Sequence, residues 1–166
     1  MKHLHLFSIF IAFILFLSSC KKHNNIAPIG MSANIAGTHW AATVIDSAYT
    51  AYLPSYVSSD SILALYIAGN DYDPLFNVHS QRGINLVIVN YNNKPGVFKI
   101  AYANVDTVNS LLFFDGPNIV DFYDSGVIII TKVSANNIQG NFSGSLNAGL
   151  GQITTITNGQ FNVYLK

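Results

Sequence analysis

The chain has little cysteine, little charge and no glutamate. A single Cys excludes an internal disulfide, and an unpaired thiol in an exported protein needs an explanation. Only 10% of the residues are charged. Glu, a good helix former, is absent, whereas the strand-favouring residues Val, Ile, Tyr, Phe and Thr are abundant. The eight basic residues include Lys2, Lys21 and Lys22, which leaves five against eight aspartates in the rest of the chain. This slight excess of negative charge lacks the basic surface that nucleic-acid binding requires.

The amino-terminal segment has the pattern of a secretory leader. Lys2 provides a basic start, residues 4–17 are almost all apolar, and the small residues Ser18 and Ser19 follow. As a helix, residues 4–17 would span about 21 Å, at about 1.5 Å per residue, against a hydrocarbon core of about 30 Å. This shortfall disfavours the alternative interpretation, an uncleaved membrane anchor.

The cysteine closes this leader in the run Leu17-Ser18-Ser19-Cys20, which resembles a bacterial lipobox. The resemblance implies cleavage between Ser19 and Cys20 and acyl chains on the Cys20 sulfur and on the new amino terminus. Several acyl chains anchor a protein stably, whereas one holds it only marginally. Lys21 occupies the position where an Asp would indicate inner-membrane retention, and no acidic run follows. We therefore expect a lipid-anchored protein of the outer membrane that faces the periplasm.

Beyond the leader, the pattern has a period of two. Residues 138–147 alternate apolar or Gly positions with Gln, Asn and Ser, as in a strand with one buried face. The runs 84–89 and 127–130 are more continuous, which indicates central strands with both faces covered. Turn residues separate further candidate strands at 39–46, 49–53, 62–68, 97–102, 119–123 and 152–164.

Eight to ten such strands predict one all-β domain, an antiparallel β-sandwich or a β-barrel. The one modest helical candidate, residues 104–113, is disfavoured by its Val and Asn content. The predicted organisation is a signal peptide at 1–19, a lipidated tether at 20–32 and the all-β domain at 33–166.

Asn158-Gly159 allows two interpretations. The pair is a strong hairpin signal, but residues 138–147 need a partner strand of similar length. Residues 152–164 provide one only if they continue through Asn158-Gly159 without reversing. An extra residue there, with Gly159 in the left-handed region, would be a β-bulge and would bring Ile156 onto the face of Phe161. We favour the bulge over the hairpin turn.

Both ends of the domain resemble a family of uncharacterised outer-membrane lipoproteins from Bacteroidota. The opening run at residues 35–42 contains the pattern G-x-x-W-x-A, from Gly37 to Ala42. The closing runs at residues 126–131, 138–142 and 156–163 are similar to the last strands of that family. The resemblance implies an all-β fold and a location in the cell envelope, and it carries no catalytic residues.

Nucleophilic and metal chemistry have little support in the sequence. Beyond the leader the histidines are His23, His39 and His79, and no serine lies in a G-x-S-x-G elbow. His39, beside Trp40, is interpreted as a surface or half-buried strand residue. His79 and Arg82 are both expected in a loop, where a solvated turn is favoured over a binding role. We expect no catalytic residue and no cofactor.

Aspartates lie mostly in turn sequences. Asp71 and Asp73 could begin a calcium loop, but the EF-hand pattern is not followed, so turn formation before Pro74 is the simpler interpretation and no metal site is expected. A glycosidase would need a pair of carboxylates across a cleft. The available ones, Asp115, Asp121 and Asp124, lie in or beside turns.

Tyrosines cluster in the first half of the domain, at Tyr49, Tyr52, Tyr56, Tyr66 and Tyr72. Exposed tyrosines can stack on sugar rings or anchor a protein partner, although strands also use them for packing. Three hypotheses remain. The preferred one is a non-catalytic envelope lipoprotein that binds a protein or glycan partner. The others are a carrier of lipids or small ligands with an apolar barrel interior, and a hydrolase whose residues converge only in the fold.

Overall fold

The computed structural model describes residues 28–45, 48–53, 62–71, 82–101, 109–115, 118–120, 123–147 and 153–166. These ranges form strands and turns and contain no helix. The twelve strands, in chain order, are β1 (Gly30–Ile35), β2 (Thr38–Ala41), β3 (Val44–Ile45), β4 (Tyr49–Leu53), β5 (Ile62–Asn70), β6 (Arg82–Val89), β7 (Gly96–Ala101), β8 (Ser110–Asp115), β9 (Asn118–Val120), β10 (Tyr123–Ser134), β11 (Asn137–Asn147) and β12 (Ile153–Tyr164).

The strands form two antiparallel sheets that pack face to face as a β-sandwich. Sheet A has the order β2-β1-β12-β11-β10-β7. Sheet B has the order β3-β5-β6-β8-β9, and β4 also pairs with β5. The first strand thus lies beside the last one in sheet A. The predicted all-β antiparallel fold is confirmed, and the sandwich is the form it takes.

Alternating apolar residues from both sheets fill the space between them. In sheet B, Leu65, Ile67 and Leu86 are at most 1% exposed, and in sheet A, Ile128 and Ile138 are fully buried. These side chains belong to one hydrophobic cluster that spans both sheets. Full burial of one such side chain contributes about 1.5–3 kcal/mol, so this cluster is the main stabilising feature of the fold.

Several predicted strands agree closely with the structure. Residues 49–53 coincide with β4, and residues 62–68, 84–89, 138–147 and 152–164 differ from their strands by one or two residues at an end. The continuous runs 84–89 and 127–130 lie in internal strands, as predicted. Their outer faces are only half-covered, however, because Val87 and Ile129 remain partly exposed. Residues 110–113, part of the disfavoured helical candidate, lie in β8.

The predicted strand at 39–46 is wrong, because the chain changes sheets inside it. Ala42 N–H donates to Met31 O in sheet A at 2.9 Å, and the next residue, Thr43, donates its N–H to Asn70 O in sheet B at 2.9 Å. The period-two pattern continues across this crossing, but the hydrogen-bond partners do not. β2 and β3 are therefore separate strands in different sheets.

Two further boundaries differ from the sequence-based expectation. The predicted strand at 119–123 is divided, since Asn118–Val120 pairs with β8 in sheet B whereas Tyr123 begins β10 in sheet A. At the amino terminus, β1 begins at Gly30, inside the range expected to be tether, and Met31 is buried in the core. Pairing with β12 recruits these residues into the sheet.

The β-bulge at Asn158-Gly159 is confirmed. β12 continues through this pair, and the register shifts by one residue, from Phe142↔Gly159 to Gly144↔Ile156. As predicted, Ile156 and Phe161 share the buried face. The left-handed residue is Asn158, with φ 53°, and not Gly159, so that part of the prediction was wrong. Asn tolerates this conformation, which leaves Gly159 to meet a different, steric requirement.

Candidate functional site

A cavity of about 590 Å³ lies on the outer face of sheet B. The residues that the argument below uses are Tyr49, Tyr66, Ala68, Asn70, Asn85 and Lys166. This volume lies within the range of about 300–1,000 Å³ that is usual for small-molecule sites. The cavity combines an aromatic wall, an apolar floor and two side-chain amides.

The strand register explains the hollow. Directly opposed residues of an antiparallel pair project to the same face. Tyr66 therefore stands beside Tyr49 of β4 and Val87 of β6. Two positions further along β5, small Ala68 lies opposite Asn85 and leaves a depression below the tyrosines. The hollow exists because an alanine interrupts a row of larger outward-facing side chains.

The two tyrosines form a stacked pair at one end of the cavity. Their ring centroids are 5.1 Å apart, and the ring planes differ by 11°. Tyr49 is 47% exposed, so part of its ring surface remains available to a ligand. Burial raises the pKa of the Tyr66 hydroxyl, and neighbouring Tyr49 raises it further. Tyr66 therefore stays neutral at physiological pH and can donate a hydrogen bond.

The amides of Asn70 and Asn85 make no hydrogen bond to another described side chain, although both residues are half-buried. The buried amide of sheet A behaves differently. Asn162 accepts a hydrogen bond from Asn137 Nδ2 at 2.6 Å and donates one to Pro28 O at 3.2 Å. The sheet A network holds the start of the domain against β12. The amides of Asn70 and Asn85 line the cavity instead and face no described hydrogen-bonding side chain.

An ion pair closes the turn end of β5 and β6. Arg82 N–H donates to Asp71 Oδ1 at 2.6 Å, and Arg82 Nε–H donates to Asp71 Oδ2 at 3.0 Å. Asp71 N–H in turn donates to Arg82 O at 2.8 Å. Asp71 thus fastens the two strand ends beside Asn70, which agrees with its interpretation as a turn residue. The sequence predicted a loop at Arg82, but this residue begins β6.

The structure brings together only some of the residues that the sequence singled out. Tyr49 and Tyr66 form the wall of the cavity, whereas Tyr52 is 71% exposed and does not line it. His39 is exposed on β2, and Asp115 is exposed at the end of β8. Other candidates from the sequence lie outside the ranges that the structure describes: Ser19, Cys20, His23, Tyr56, Tyr72, Asp73, His79 and Asp121. Asp124 lies in β10, where its side chain is not described.

The described ranges also bear on two other classes of site. Within these ranges, no three His, Cys, Asp or Glu side chains come close enough together to bind a metal ion. Among the same residues, none forms a helix with the length and apolar character needed to cross a bilayer.

Sequence reasoning missed four contributors to the cavity, namely Ala68, Asn70, Asn85 and Lys166. Asn85 carried a usable signal, because it is the polar residue inside an otherwise apolar run at 84–89. Ala68 and Lys166 carried none. Lys166 reaches the site because its N–H donates to Ala48 O at 2.9 Å, a contact between distant parts of the chain.

Comparison with known proteins adds no family to these observations. The chain matches no protein-family model, and no curated protein and no solved structure is significantly similar to it. The fold and the site therefore define its class by themselves: an antiparallel β-sandwich with a tyrosine-walled cavity on one outer face. The resemblance to Bacteroidota lipoproteins stays a prediction.

Proposed function

We propose that this protein is a lipid-anchored component of the bacterial cell envelope whose β-sandwich binds a protein or glycan partner without catalysis. Cys20, in the lipobox-like run, carries the acyl chains, and the tether presents the domain at the periplasmic face of the outer membrane. The observation that supports binding most directly is the Tyr49–Tyr66 cavity, whose two amides, of Asn70 and Asn85, make no side-chain hydrogen bond within the described residues. Aromatic side chains with one polar end are the groups that dominate recognition surfaces.

The packed interior argues against the alternative of a lipid carrier. An apolar ligand inside the fold would need a cavity between the sheets. Core residues such as Ile84, Leu86 and Ile128 are fully buried and belong to one continuous cluster. The cavity that supports our proposal lies outside this cluster, on the surface of sheet B. Partner binding is therefore the better-supported activity.

Affinity capture tests this proposal. The full chain, immobilised through a carboxyl-terminal tag, is expected to retain a protein or a glycan from a detergent extract of the cell envelope of the bacterium that makes it. Tyr49→Ala should lose that partner, because it removes the exposed half of the aromatic wall. Tyr164→Ala is the matched control, since Tyr164 is also exposed but lies on β12 in the other sheet. Equal retention by both variants, or no retained partner, would contradict the proposed role of the cavity.

A further inference from the structure

We propose that the cavity of sheet B binds a neutral glycan, with one pyranose ring against the aromatic wall of Tyr49 and Tyr66 and its hydroxyl groups hydrogen-bonded to Asn70 and Asn85. This inference rests on the proposed binding function and specifies the chemistry of its ligand. It follows from the shape of the site, from the two kinds of group that line it and from the charge of its lining.

The aromatic wall matches the apolar face of a sugar. The C–H groups on one face of a pyranose carry a small positive charge, and the face of an aromatic ring is negative. Tyr49 packs one side against Tyr66 at 5.1 Å and remains 47% exposed. Tyr66 thus holds the Tyr49 ring in position, which lowers the conformational entropy that ligand binding would otherwise cost.

The amides match the hydroxyl groups. A hydroxyl both donates and accepts a hydrogen bond, and a side-chain amide offers the same two functions. Asn70 and Asn85 lie on the outer face of neighbouring strands and line the same cavity as the tyrosines. A glycan would give both amides partners that the described protein groups do not provide.

The charge of the lining favours a neutral ligand. Lys166 is the one charged side chain among the described lining residues, and it is exposed. The ionised groups nearest along the strands, Asp71 and Arg82, neutralise each other at 3.0 Å. Lys166 is the one described lining cation that could attract an anionic group, whereas the uncharged amides of Asn70 and Asn85 suit neutral hydroxyl groups.

The surface around the cavity fits a sugar better than a protein. A stable protein interface buries about 800 Å² on each partner and has an apolar centre. Large exposed apolar side chains in the described ranges are scattered instead: Ile29, Val44, Tyr49, Tyr52, Val97, Ile153 and Tyr164. Tyr49 alone among them lines the cavity. A single exposed ring above a concave site is suited to one sugar unit.

Saturation-transfer NMR on the full chain tests the inference, in a detergent without a sugar headgroup. The probes are the methyl glycosides of glucose, galactose, mannose and N-acetylglucosamine, with glucuronate as the acidic comparison. We expect at least one neutral glycoside to bind. Tyr49→Ala and Asn85→Ala should each weaken it about tenfold, which corresponds to about 1.4 kcal/mol for each lost contact. Tyr49→Phe keeps the ring and should stay within about threefold.

Ala68→Leu provides a test that removes no binding group. The larger side chain should fill the floor of the cavity and abolish binding, while an unchanged melting temperature shows that the sheet still forms. Tyr52→Ala, on the same strand as Tyr49, is the control and should bind as the wild type does.

The possible results separate this inference from the broader proposal. Normal glycoside binding by Tyr49→Ala and Ala68→Leu overturns it, as does the absence of binding by any neutral probe. Tighter binding of glucuronate overturns the neutral assignment. Capture of a protein that depends on Tyr49, with no glycoside binding, overturns the glycan inference and leaves the broader binding proposal intact.

Discussion

Two buried polar groups of the core lack hydrogen-bond partners in the described parts of the chain: the Trp40 indole N–H and the Tyr91 hydroxyl. Both residues are at most 3% exposed. Trp40 is the tryptophan of the G-x-x-W-x-A pattern, and it packs in the core after a tight turn in which Ala36 and Gly37 both have positive φ. At the residue scale, this pattern therefore has a structural explanation that is independent of any family.

Replacement of Tyr91 by Phe should stabilise the protein. The Tyr91 ring packs against Phe98, with centroids 6.2 Å apart, and this contact is retained in the variant. Removal of a buried hydroxyl without a partner should raise the free energy of unfolding by about 1 kcal/mol. Urea denaturation measures the change, and Tyr164→Phe, at an exposed tyrosine, should leave it near zero. A destabilised Tyr91→Phe would mean that this hydroxyl has a partner in solution.

The same variant should also alter the alkaline limit of stability. Burial raises the pKa of Tyr91, so the folded state favours the neutral phenol. The resulting stability is fully present below the ordinary tyrosine pKa of about 10 and is lost as the pH rises through the raised value. Tyr91→Phe should therefore lose less stability above pH 10 than the wild type. Burial also raises the pKa of Tyr66, so both proteins should still lose some stability at high pH.

At the scale of single elements, β11 and β12 show how a bulge and two glycines shape a strand pair. Gly140 pairs with Phe161, and Phe142 pairs with Gly159. Each phenylalanine covers the glycine opposite, and the two rings stack with centroids 6.4 Å apart. An added Cβ on Gly159 would lie 2.5 Å from the backbone carbonyl oxygen of Phe142 and 2.6 Å from Phe142 Cδ2. The glycine is therefore needed for space, and Asn158 supplies the left-handed residue.

Substitution of Gly159 by Ala should destabilise the sandwich by about 1–3 kcal/mol, the usual cost of overpacking. Asn158→Gly is the control, because glycine adopts positive φ readily and the change should stay within about 0.5 kcal/mol. A double-mutant cycle with Phe142→Leu tests the cause. The Gly159→Ala cost should shrink in that background, and equal costs in both backgrounds would show that the Phe142 ring is not responsible.

Alternation predicted where strands lie but not which sheet they join. The prediction for residues 49–53 coincides with β4 at both ends. The prediction for residues 39–46 failed, because the N–H groups of Ala42 and Thr43 donate to carbonyl groups 11 and 27 positions away, in different sheets. β1 was partly missed for a similar reason. Gly30 and Met31 become strand residues through pairing with Asn162 and Phe161, at the far end of the chain.

At the scale of the whole molecule, the first described residues lie on sheet A, whereas the candidate site lies on sheet B. Pro28, the first described residue, is held to β12 of sheet A by Asn162, whereas the Tyr49–Tyr66 cavity is on the outer face of sheet B. In the proposed lipid-anchored arrangement, the tether would join the domain at sheet A, and the cavity would lie on the other sheet. This arrangement is compatible with ligand binding by an anchored domain.

The proposed anchor makes a prediction about the whole chain. Cys20→Ala should remain an unprocessed precursor, because cleavage at a lipobox follows modification of the cysteine sulfur. Labelled palmitate should enter the wild type and not this variant, as gel electrophoresis and autoradiography of the membrane fraction would show. Ser19→Ala, which keeps a small residue at the cleavage site, should be processed normally. Cleavage of Cys20→Ala at the same bond, or a wild type that never takes up label, would refute the anchor.

The sequence alone determined most of the longer strands, the antiparallel all-β class and the bulge near Asn158, because these depend on side-chain alternation and on local backbone preferences. It also drew attention to Tyr49 and Tyr66. Tertiary structure alone decided that these two tyrosines stack, that Ala68 leaves a hollow beside them and that Lys166 lies at its margin. The physical reason is that register and sheet assignment are set by hydrogen bonds between residues far apart in the chain, which no local pattern encodes.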